Sequence, residues 1–316
     1  MAEVGSSTSP QKPWQAPART RYVLLMNDAI DLRRPAHQSA PLVVASPHSG
    51  ADYSPGFLEV VAVPLQVLRR AEDAFIDELF GAAPALGAPL LAARFPRSYV
   101  DANREAYELD PAMFDGALPR ALNHRTSRVA AGLGMIPRVA ASGEPIYRGR
   151  VPAEEIELRL ETCWRPYHAA LSLLVEQTHR LFGCALLIDA HSMPSSASGL
   201  GSRERDNRVD VVLGDNHGEA CALELVALVE EWLRGHGLRV QRNQPYAGGF
   251  TTQRYGRPAL GRHVLQIEIN RALYMNEARH EKLATWGVTE RLMAGLLDHV
   301  GRSARDTLLP RPLAAE

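Results

Sequence analysis

The chain has 316 residues, enough for one large domain or two ordinary ones with a substantial buried core. Hydrophobic types make up 46% of the residues and charged types 22%, and the formal net charge is −1. This balance is typical of globular proteins and argues against disordered, collagen-like and membrane-spanning chains. Because the charge is near zero and no run of 18 apolar residues occurs, we expect neither a nucleic-acid nor a membrane partner.

Lysine and cysteine usage excludes several chemistries. Lys12 and Lys282 are the only lysines, and neither follows a glycine, so a Gly-Lys-Ser/Thr phosphate loop is absent. The same scarcity argues against a Schiff-base enzyme. The three cysteines are far apart and odd in number, unlike a disulfide framework or a zinc knuckle. Since the N-terminal sequence does not resemble a secretory signal, we expect a cytoplasmic protein.

The expected organisation is one folded domain between two loose ends. Residues 1–20 are rich in Ser, Pro, Gln and Ala and predict a disordered leader, and residues 306–316 predict a loose C-terminal tail. Residues 21–305 contain neither an internal repeat nor a long Gly/Ser linker, which predicts a single domain.

Apolar runs of strand length alternate with helical patterns along this domain. They predict, in chain order, a strand at 42–45, a helix at 65–80, a strand at 89–93, a helix at 154–182, strands at 185–188 and 209–213, a helix at 219–236 and a strand at 263–270. This alternation indicates an α/β domain with a mostly parallel or mixed sheet. Ligands of such sheets bind beyond the carboxyl ends of the strands, where this chain has histidines, aspartates and small residues.

Two histidines occupy equivalent positions after predicted strands. His48 lies in the sequence SPHSG at 46–50, and His191 in DAHSMP at 189–194. If the two strands are neighbours, the imidazoles converge and supply half of a zinc-type site. The alternative is that each histidine caps a strand end and bonds a loop carbonyl, and the spacing alone leaves both interpretations open.

A catalytic zinc site needs a third protein ligand and leaves its fourth position to water. The candidates are Asp52, Glu72, Asp73 and Asp189. On a helix at 65–80, Glu72 lies on the apolar stripe with Asp73 beside it, so either carboxylate is permitted. Asp73 could instead cap a helix. Asp189 shares a strand face with His191 and could orient a ligand rather than be one.

Glu268 lies in the sequence HVLQIEIN at 263–270, whose alternation places Gln266, Glu268 and Asn270 on one face. Glutamate is depleted in strands and is rarely buried unpaired, so its position here indicates a base facing a cleft. The alternative is an edge-strand carboxylate paired with an arginine.

Arginines supply the candidate anion binders. Asn103 and Arg104, in VDANR at 100–104, form the kind of pair that grips a carboxylate, with the guanidinium bidentate and the amide adding a donor. Arg148 and Arg150 are further cations, which we expect to be solvated. His168 follows Pro166 within the helix at 154–182 and is expected to be structural.

Six blocks of this sequence resemble, in the same order, the N-formylglutamate amidohydrolase family. They are residues 46–50, 72–79, 100–104, 189–194, 248–250 and 266–275, within a span of about 42–277. The resemblance implies a zinc carboxypeptidase-like (phosphorylase/hydrolase-like) α/β fold, with a single-domain mixed sheet flanked by helices on both faces. It also implies a hydrolase that cleaves an N-formyl or related N-acyl amino acid, most directly N-formyl-L-glutamate. The family name implies a role in histidine degradation.

The resemblance further implies one zinc ion per chain. Its ligands by position are His48, Asp73 and His191. Zinc carboxypeptidases place a glutamate three residues after the first histidine, and this chain has Ala51 there. Asp52 or Glu72 could therefore replace Asp73 as the third ligand.

Other residues acquire roles from the same resemblance. Glu268 corresponds to the general base, and Asn103 with Arg104 to the binders of the substrate α-carboxylate. A second carboxylate on the substrate requires another cation, for which the available residues are Arg148, Arg254 and Arg271.

Rival functions stay open. One is a non-catalytic amino-acid or peptide-binding protein on the same fold, and another is a deacylase of a different N-acyl amino acid. A serine mechanism through Ser49 or Ser192 is disfavoured because the chain lacks a Gly-x-Ser-x-Gly elbow. The expected partner is a small N-acyl amino acid, and the oligomeric state is not predicted.

Overall fold

A computed structural model describes residues 28–197 and 208–308. The expected disordered leader, residues 1–20, lies outside the described residues, as do residues 309–316 of the expected tail. Helical structure extends to Leu308, so the last helix continues past residue 305, where the domain was expected to end.

Eleven strands and nine α-helices occur in the described ranges. The strands are β1 (Ile30–Arg33), β2 (Leu42–Ser46), β3 (Leu90–Ala93), β4 (Phe114–Asp115), β5 (Val151–Pro152), β6 (Ala185–Met193), β7 (Val211–Gly214), β8 (Val240–Arg242), β9 (Arg262–Asn270), β10 (Met275–Asn276) and β11 (Glu281–Lys282). The helices are α1 (Pro55–Val60), α2 (Leu65–Arg69), α3 (Ile76–Leu79), α4 (Ser127–Ala130), α5 (Glu154–Arg159), α6 (Arg165–Phe182), α7 (Leu223–Gly235), α8 (Phe250–Tyr255) and α9 (Trp286–Leu308). None of these helices is both long and apolar enough to cross a membrane.

Seven of the strands form one mixed sheet in the order β1-β3-β2-β6-β9-β7-β8. The four strands β3, β2, β6 and β9 run parallel to one another. β1 and β7 are antiparallel to their inner neighbours. The carboxyl ends of β2, β6 and β9 therefore lie side by side at one edge of the sheet, as the sequence predicts.

Apolar cores cover both faces of the sheet. Alternate residues of a strand point to opposite faces, so Val44 and Ile188 pack in one core while Val43 and Leu187 pack in the other. Helices α3, α7 and α9 cover the first face, and α6 covers the second. The predicted mixed sheet with helices on both faces is confirmed.

The predicted helix at 65–80 is wrong. The chain forms α2, a turn and then α3, and Phe75 in this break has a left-handed φ of 64°. The backbone N–H of Asp73 donates to the His48 carbonyl at 3.0 Å, a bond to another part of the chain that a continuous helix excludes. Such tertiary bonds override helical periodicity, and the break brings Asp73 to the loop that follows β2.

Other element boundaries differ less. Residues 154–182 are helical as predicted, with a π-helical turn at Leu160–Trp164 between α5 and α6. The predicted helix at 219–236 begins later, at Leu223. β6 pairs with β9 as far as Met193, so His191 lies within a strand and not in the loop after one, as was expected.

His168 is buried between α8 and the segment that follows β3. Its Nε2 lies 2.8 Å from the Ala102 carbonyl and its Nδ1 lies 2.9 Å from the Tyr255 hydroxyl. Burial lowers the pKa of His168 to about 3. The ring is therefore neutral near pH 7, with Nε2–H donating to Ala102 and Nδ1 accepting from Tyr255.

This depressed pKa predicts a pH dependence of folding. Between pH 6.5 and 3 the unfolded chain protonates His168 while the folded chain does not, so stability falls as the pH falls through this window. The loss from this residue approaches about 1.4 kcal/mol per pH unit. Urea unfolding at pH 7.5, 6 and 5 should show a shallower decline for His168→Gln than for the wild type. Parallel pH curves would contradict this assignment.

Candidate metal centre

Adjacent strands bring the two predicted histidines together. β2 and β6 are parallel neighbours, with His48 two residues beyond the end of β2 and His191 near the end of β6. Their ring centroids are 4.9 Å apart, and both rings are buried. The condition on which the predicted site depends, that the two strands are neighbours, is met.

Asp73 completes a three-residue cluster. Its Oδ2 lies 3.2 Å from His48 Nδ1 and 3.0 Å from His191 Nδ1. One ligand atom from each residue lies within 4.8 Å of the others. Ligands about 2.0 Å from a tetrahedral ion are ~3.3 Å apart, so the two oxygen–nitrogen distances match the ligand spacing of a zinc site.

The alternative third ligands lie elsewhere. Asp52 is exposed and pairs with Arg94 at 3.0 Å. Glu72 is buried, but its carboxylate accepts hydrogen bonds from Tyr53 at 2.7 Å and Arg69 at 3.2 Å. Within the described residues, Asp73 is the carboxylate that joins both histidines.

The electrostatics keep Asp73 ionised. Burial alone raises its pKa, but hydrogen bonds and positive charge from His191 and His48 lower the pKa well below its ordinary value. Its other oxygen, Oδ1, accepts from Ser192 at 3.1 Å and from Arg271 at 3.2 Å. A metal ligand must be deprotonated, so this environment suits the carboxylate for that role.

Carboxylates also contact the outer nitrogens of both histidines. His48 Nε2 lies 2.7 Å from Asp101 Oδ1, and His191 Nε2 lies 3.1 Å from Asp189 Oδ2. Such contacts fix the orientation of metal-binding imidazoles and leave Nδ1 for the ion. Asp189 thus contacts a histidine of the cluster and is not itself one of its three members.

The carboxylates around the cluster favour a positive charge there. Burial lowers the pKa of His191, but the carboxylates of Asp189, Asp73 and Glu268 raise it well above its ordinary value. Asp189 is fully buried, and within the described residues its ion-pair partner is His191. A cation at this point would balance the surrounding negative charge, so the residues fit a divalent metal ion.

Glu268 faces the same cleft from β9. It is the register partner of His191, only 7% exposed, and burial raises its pKa to about 7. Its Oε1 accepts a hydrogen bond from Gln266 at 2.9 Å. β9 is an interior strand between β6 and β7, so the alternative of an edge-strand carboxylate is wrong.

Asn103 and Arg104 adjoin the cluster. Asn103 is buried, with Nδ2 3.2 Å from His191 Nε2, and its Oδ1 accepts from the Thr251 backbone at 2.8 Å. Arg104 donates through Nε and Nη1 to the carbonyls of Leu133 and Asn103. Its Nη2 lies 3.9 Å from an Asp101 oxygen, which is the longest of the contacts made by the three guanidinium nitrogens.

The three arginines considered for a second carboxylate differ in position. Arg148 and Arg254 are exposed, and the Arg254 guanidinium lies over the rings of Phe250 and Tyr255. We find no hydrogen bond or ion pair from either arginine to the cluster within the described residues. Arg271 is buried, and its guanidinium donates hydrogen bonds to Ser192, Arg70 and Asp73.

Arg97 and Tyr246 lie near the cluster and are not among the residues that the sequence predicts there. Arg97 donates to Asp101 at 2.8 Å, and the charges of Asp101, Asp73 and Glu268 raise its pKa against the effect of burial. Burial and the charges of Glu268 and Asp73 raise the pKa of Tyr246. Arg97 just precedes the 100–104 block, which could have indicated it, whereas no sequence signal indicates Tyr246.

The candidate serines do not form a nucleophile–base pair. Ser192 donates to Asp73 and accepts from Arg271, and Ser46 donates to Ser49. Within the described part of the chain, neither Ser49 nor Ser192 has a histidine nitrogen as its hydrogen-bond partner. The geometry therefore favours a metal-dependent over a serine-dependent mechanism.

Residues 40–275 match the family model of N-formylglutamate amidohydrolase. The chain belongs to this family. The N-formylglutamate deformylases of Pseudomonas aeruginosa and Pseudomonas putida are each 31% identical, over 241 and 271 residues. These alignments cover 75% and 81% of this chain, and 83% and 92% of the relatives.

A solved structure agrees with the sequence comparisons. The crystal structure of N-formylglutamate amidohydrolase from Ralstonia eutropha is 37% identical and superimposes with a TM-score of 0.82. The match covers 88% of this chain and 99% of that one. The predicted family is confirmed, and with it an amidohydrolase, an enzyme that hydrolyses a linear amide.

The zinc affinity of variants tests whether Asp73 or another carboxylate is the third ligand. We expect Asp73→Asn to lower zinc affinity at least 100-fold, because an amide supplies a neutral and weaker ligand. Asp52→Asn is the matched control, and its affinity should stay within twofold of the wild type because that side chain is exposed. Equilibrium dialysis against a zinc buffer measures both. A larger loss in Asp52→Asn than in Asp73→Asn would reverse the assignment.

Proposed function

We propose that this protein is a zinc-dependent deformylase that hydrolyses N-formyl-L-glutamate to formate and L-glutamate. The observation that carries the proposal is the convergence of His48, Asp73 and His191 beside the buried Glu268. The printed names of the two Pseudomonas relatives support the choice of substrate.

Three residues of this chain would hold the metal. His48 and His191 would present Nδ1 and Asp73 would present Oδ2. Two nitrogens and one oxygen form a donor set suited to zinc. When bound, zinc would supply Lewis-acid polarisation of the formyl carbonyl and increase the acidity of water.

Glu268 would move the proton that hydrolysis requires. Water attacks the formyl carbon while Glu268 accepts its proton, and the carboxylic acid then protonates the leaving nitrogen as the C–N bond breaks. One water is consumed, and formate and the amino acid are released. The raised pKa of about 7 suits a group that must both accept and donate a proton near neutral pH.

Positively charged side chains would position the substrate. Asn103 and Arg104 are proposed to bind the α-carboxylate, since both lie beside the metal cluster. Arg97 is a further cation in this region, and its guanidinium interacts with the negative charges of Asp73 and Glu268. Binding of the side-chain carboxylate by Arg148 or Arg254 stays a prediction.

Glu268→Gln tests the proton transfer. The variant should retain zinc and bind substrate, because the amide has the same shape, but kcat should fall by a factor of about 10² to 10⁴. Glu281→Gln, at an exposed position, is the control and should keep wild-type kcat. Near-normal turnover by Glu268→Gln, with zinc content equal to the wild type, would remove Glu268 from this role.

Product analysis tests the substrate and the metal together. We expect formate release from N-formyl-L-glutamate, slower acetate release from N-acetyl-L-glutamate, and loss of both after chelation with recovery on addition of zinc. Preference for the acetyl substrate would favour the deacylase alternative. A purified protein without zinc and without activation by zinc would favour the non-catalytic binder.

Arg104→Gln tests carboxylate recognition. We expect KM for N-formyl-L-glutamate to rise at least tenfold with a smaller change in kcat, because the guanidinium binds a group remote from the reacting carbon. Arg148→Gln measured beside it shows whether that exposed arginine contributes. A fall in kcat with unchanged KM would place Arg104 in the chemical step instead.

We also infer a cytoplasmic protein that acts in histidine degradation. All three cysteines are buried, and burial raises the pKa of Cys163 to about 11, which keeps that group a thiol. These features support a reducing compartment. The role in histidine degradation rests on the family name.

A further inference from the structure

We propose that this protein binds a small multivalent anion in a second site, here called the arginine groove. The groove has a volume of about 490 Å³ and lies between α6, the end of α8 and the start of β9. The lining side chains with charge are Glu176, His179, Arg180, Arg254, Arg257 and Arg262. Arg262 is the first residue of β9, whereas Glu268 lies near the last residue of this strand. The groove and the metal cluster therefore lie toward opposite ends of β9.

Positive charge in the arginine groove is largely uncompensated. Arg180 pairs with Glu176, the one carboxylate in the lining. Across residues 28–197 and 208–308, no carboxylate pairs with Arg254, Arg257 or Arg262. The Nε of Arg262 is buried without a hydrogen-bond partner. An anion in the groove would relieve the repulsion between the guanidinium groups.

The dimensions and donors define the class of ligand. A volume of about 490 Å³ is within the range of sites that bind small molecules. Guanidinium groups bind carboxylate and phosphate oxygens with paired hydrogen bonds. The ligand is therefore a phosphate-bearing molecule or a small dicarboxylate, which share this chemistry.

Helix α8 connects the arginine groove to the metal centre. Tyr255 lines the groove, and its hydroxyl donates to His168, which in turn donates to the Ala102 carbonyl. At the other end of α8, the Thr251 N–H donates to Asn103. Residues 101–103 contact both histidines of the cluster. Hydrogen bonds connect this segment to both ends of α8, through His168 at the Tyr255 end and directly at the Thr251 end. An anion that orders the groove should restrain this segment.

Calorimetric titration of the full-length, metal-loaded protein tests the binding site. Inorganic phosphate and succinate are the two probes, and we expect at least one to bind at millimolar concentration. Ser172→Glu, which adds a negative charge to the exposed groove lining, should weaken binding at least tenfold. Arg257→Gln removes a positive charge and should act in the same direction.

Matched variants control for charge and position. Leu173→Glu adds the same charge to the next exposed residue of α6, outside the lining, and Arg291→Gln removes a charge from α9. Both should bind the probe within twofold of the wild type. No binding of either probe, or equal binding by all four variants, overturns the proposal. Which probe binds decides between the phosphate and carboxylate classes.

Hydrogen exchange tests the connection to residues 101–103. The probe that binds should slow amide exchange in a peptide covering this segment at least twofold in the wild type. Tyr255→Phe should keep probe binding but reduce this protection, because it loses the hydrogen bond to His168. Unchanged exchange in the wild type would disprove the connection. Neither measurement requires N-formyl-L-glutamate, so failure here is distinct from failure of the proposed function.

Discussion

The carboxylate of Asp73 is the constraint on which the candidate metal centre depends. One of its oxygens lies about 3 Å from an imidazole nitrogen of both His48 and His191, and the other accepts hydrogen bonds from Ser192 and Arg271. A buried carboxylate with this many polar partners is held in one position. The two histidines, which belong to different strands, therefore converge on one point.

The parallel sheet supplies the framework for this convergence. β2, β6 and β9 end at one edge, and their apolar residues fill cores on both faces. Each of these strands is interior, with a paired neighbour on both sides. The polar residues of the site lie on such strands or just after them, where their positions are defined to the accuracy that metal binding requires.

An outer layer of charged residues supports the inner cluster. Asp101 contacts the outer nitrogen of His48, Asp189 that of His191, and Arg97 holds Asp101 in turn. Burial, together with the charges of Asp73 and Asp189, raises the pKa of Glu268, and the carboxylates of Asp189, Asp73 and Glu268 raise the pKa of His191 against the effect of burial. The negative charge around the cluster also favours a cation there.

The sequence by itself determined the α/β class, the mixed sheet and the identities of the clustered histidines. Apolar runs of strand length indicate strands that are buried on both faces of the sheet. Polar residues directly after such runs lie together at one edge of a parallel sheet. Only the tertiary structure decided that the helix at 65–80 is interrupted, that Asp73 rather than Asp52 or Glu72 joins the histidines, and that Arg271 is committed to Asp73. The physical reason is that periodicity describes local burial, whereas these features depend on hydrogen bonds between residues distant in the sequence, such as that from Asp73 N–H to the His48 carbonyl.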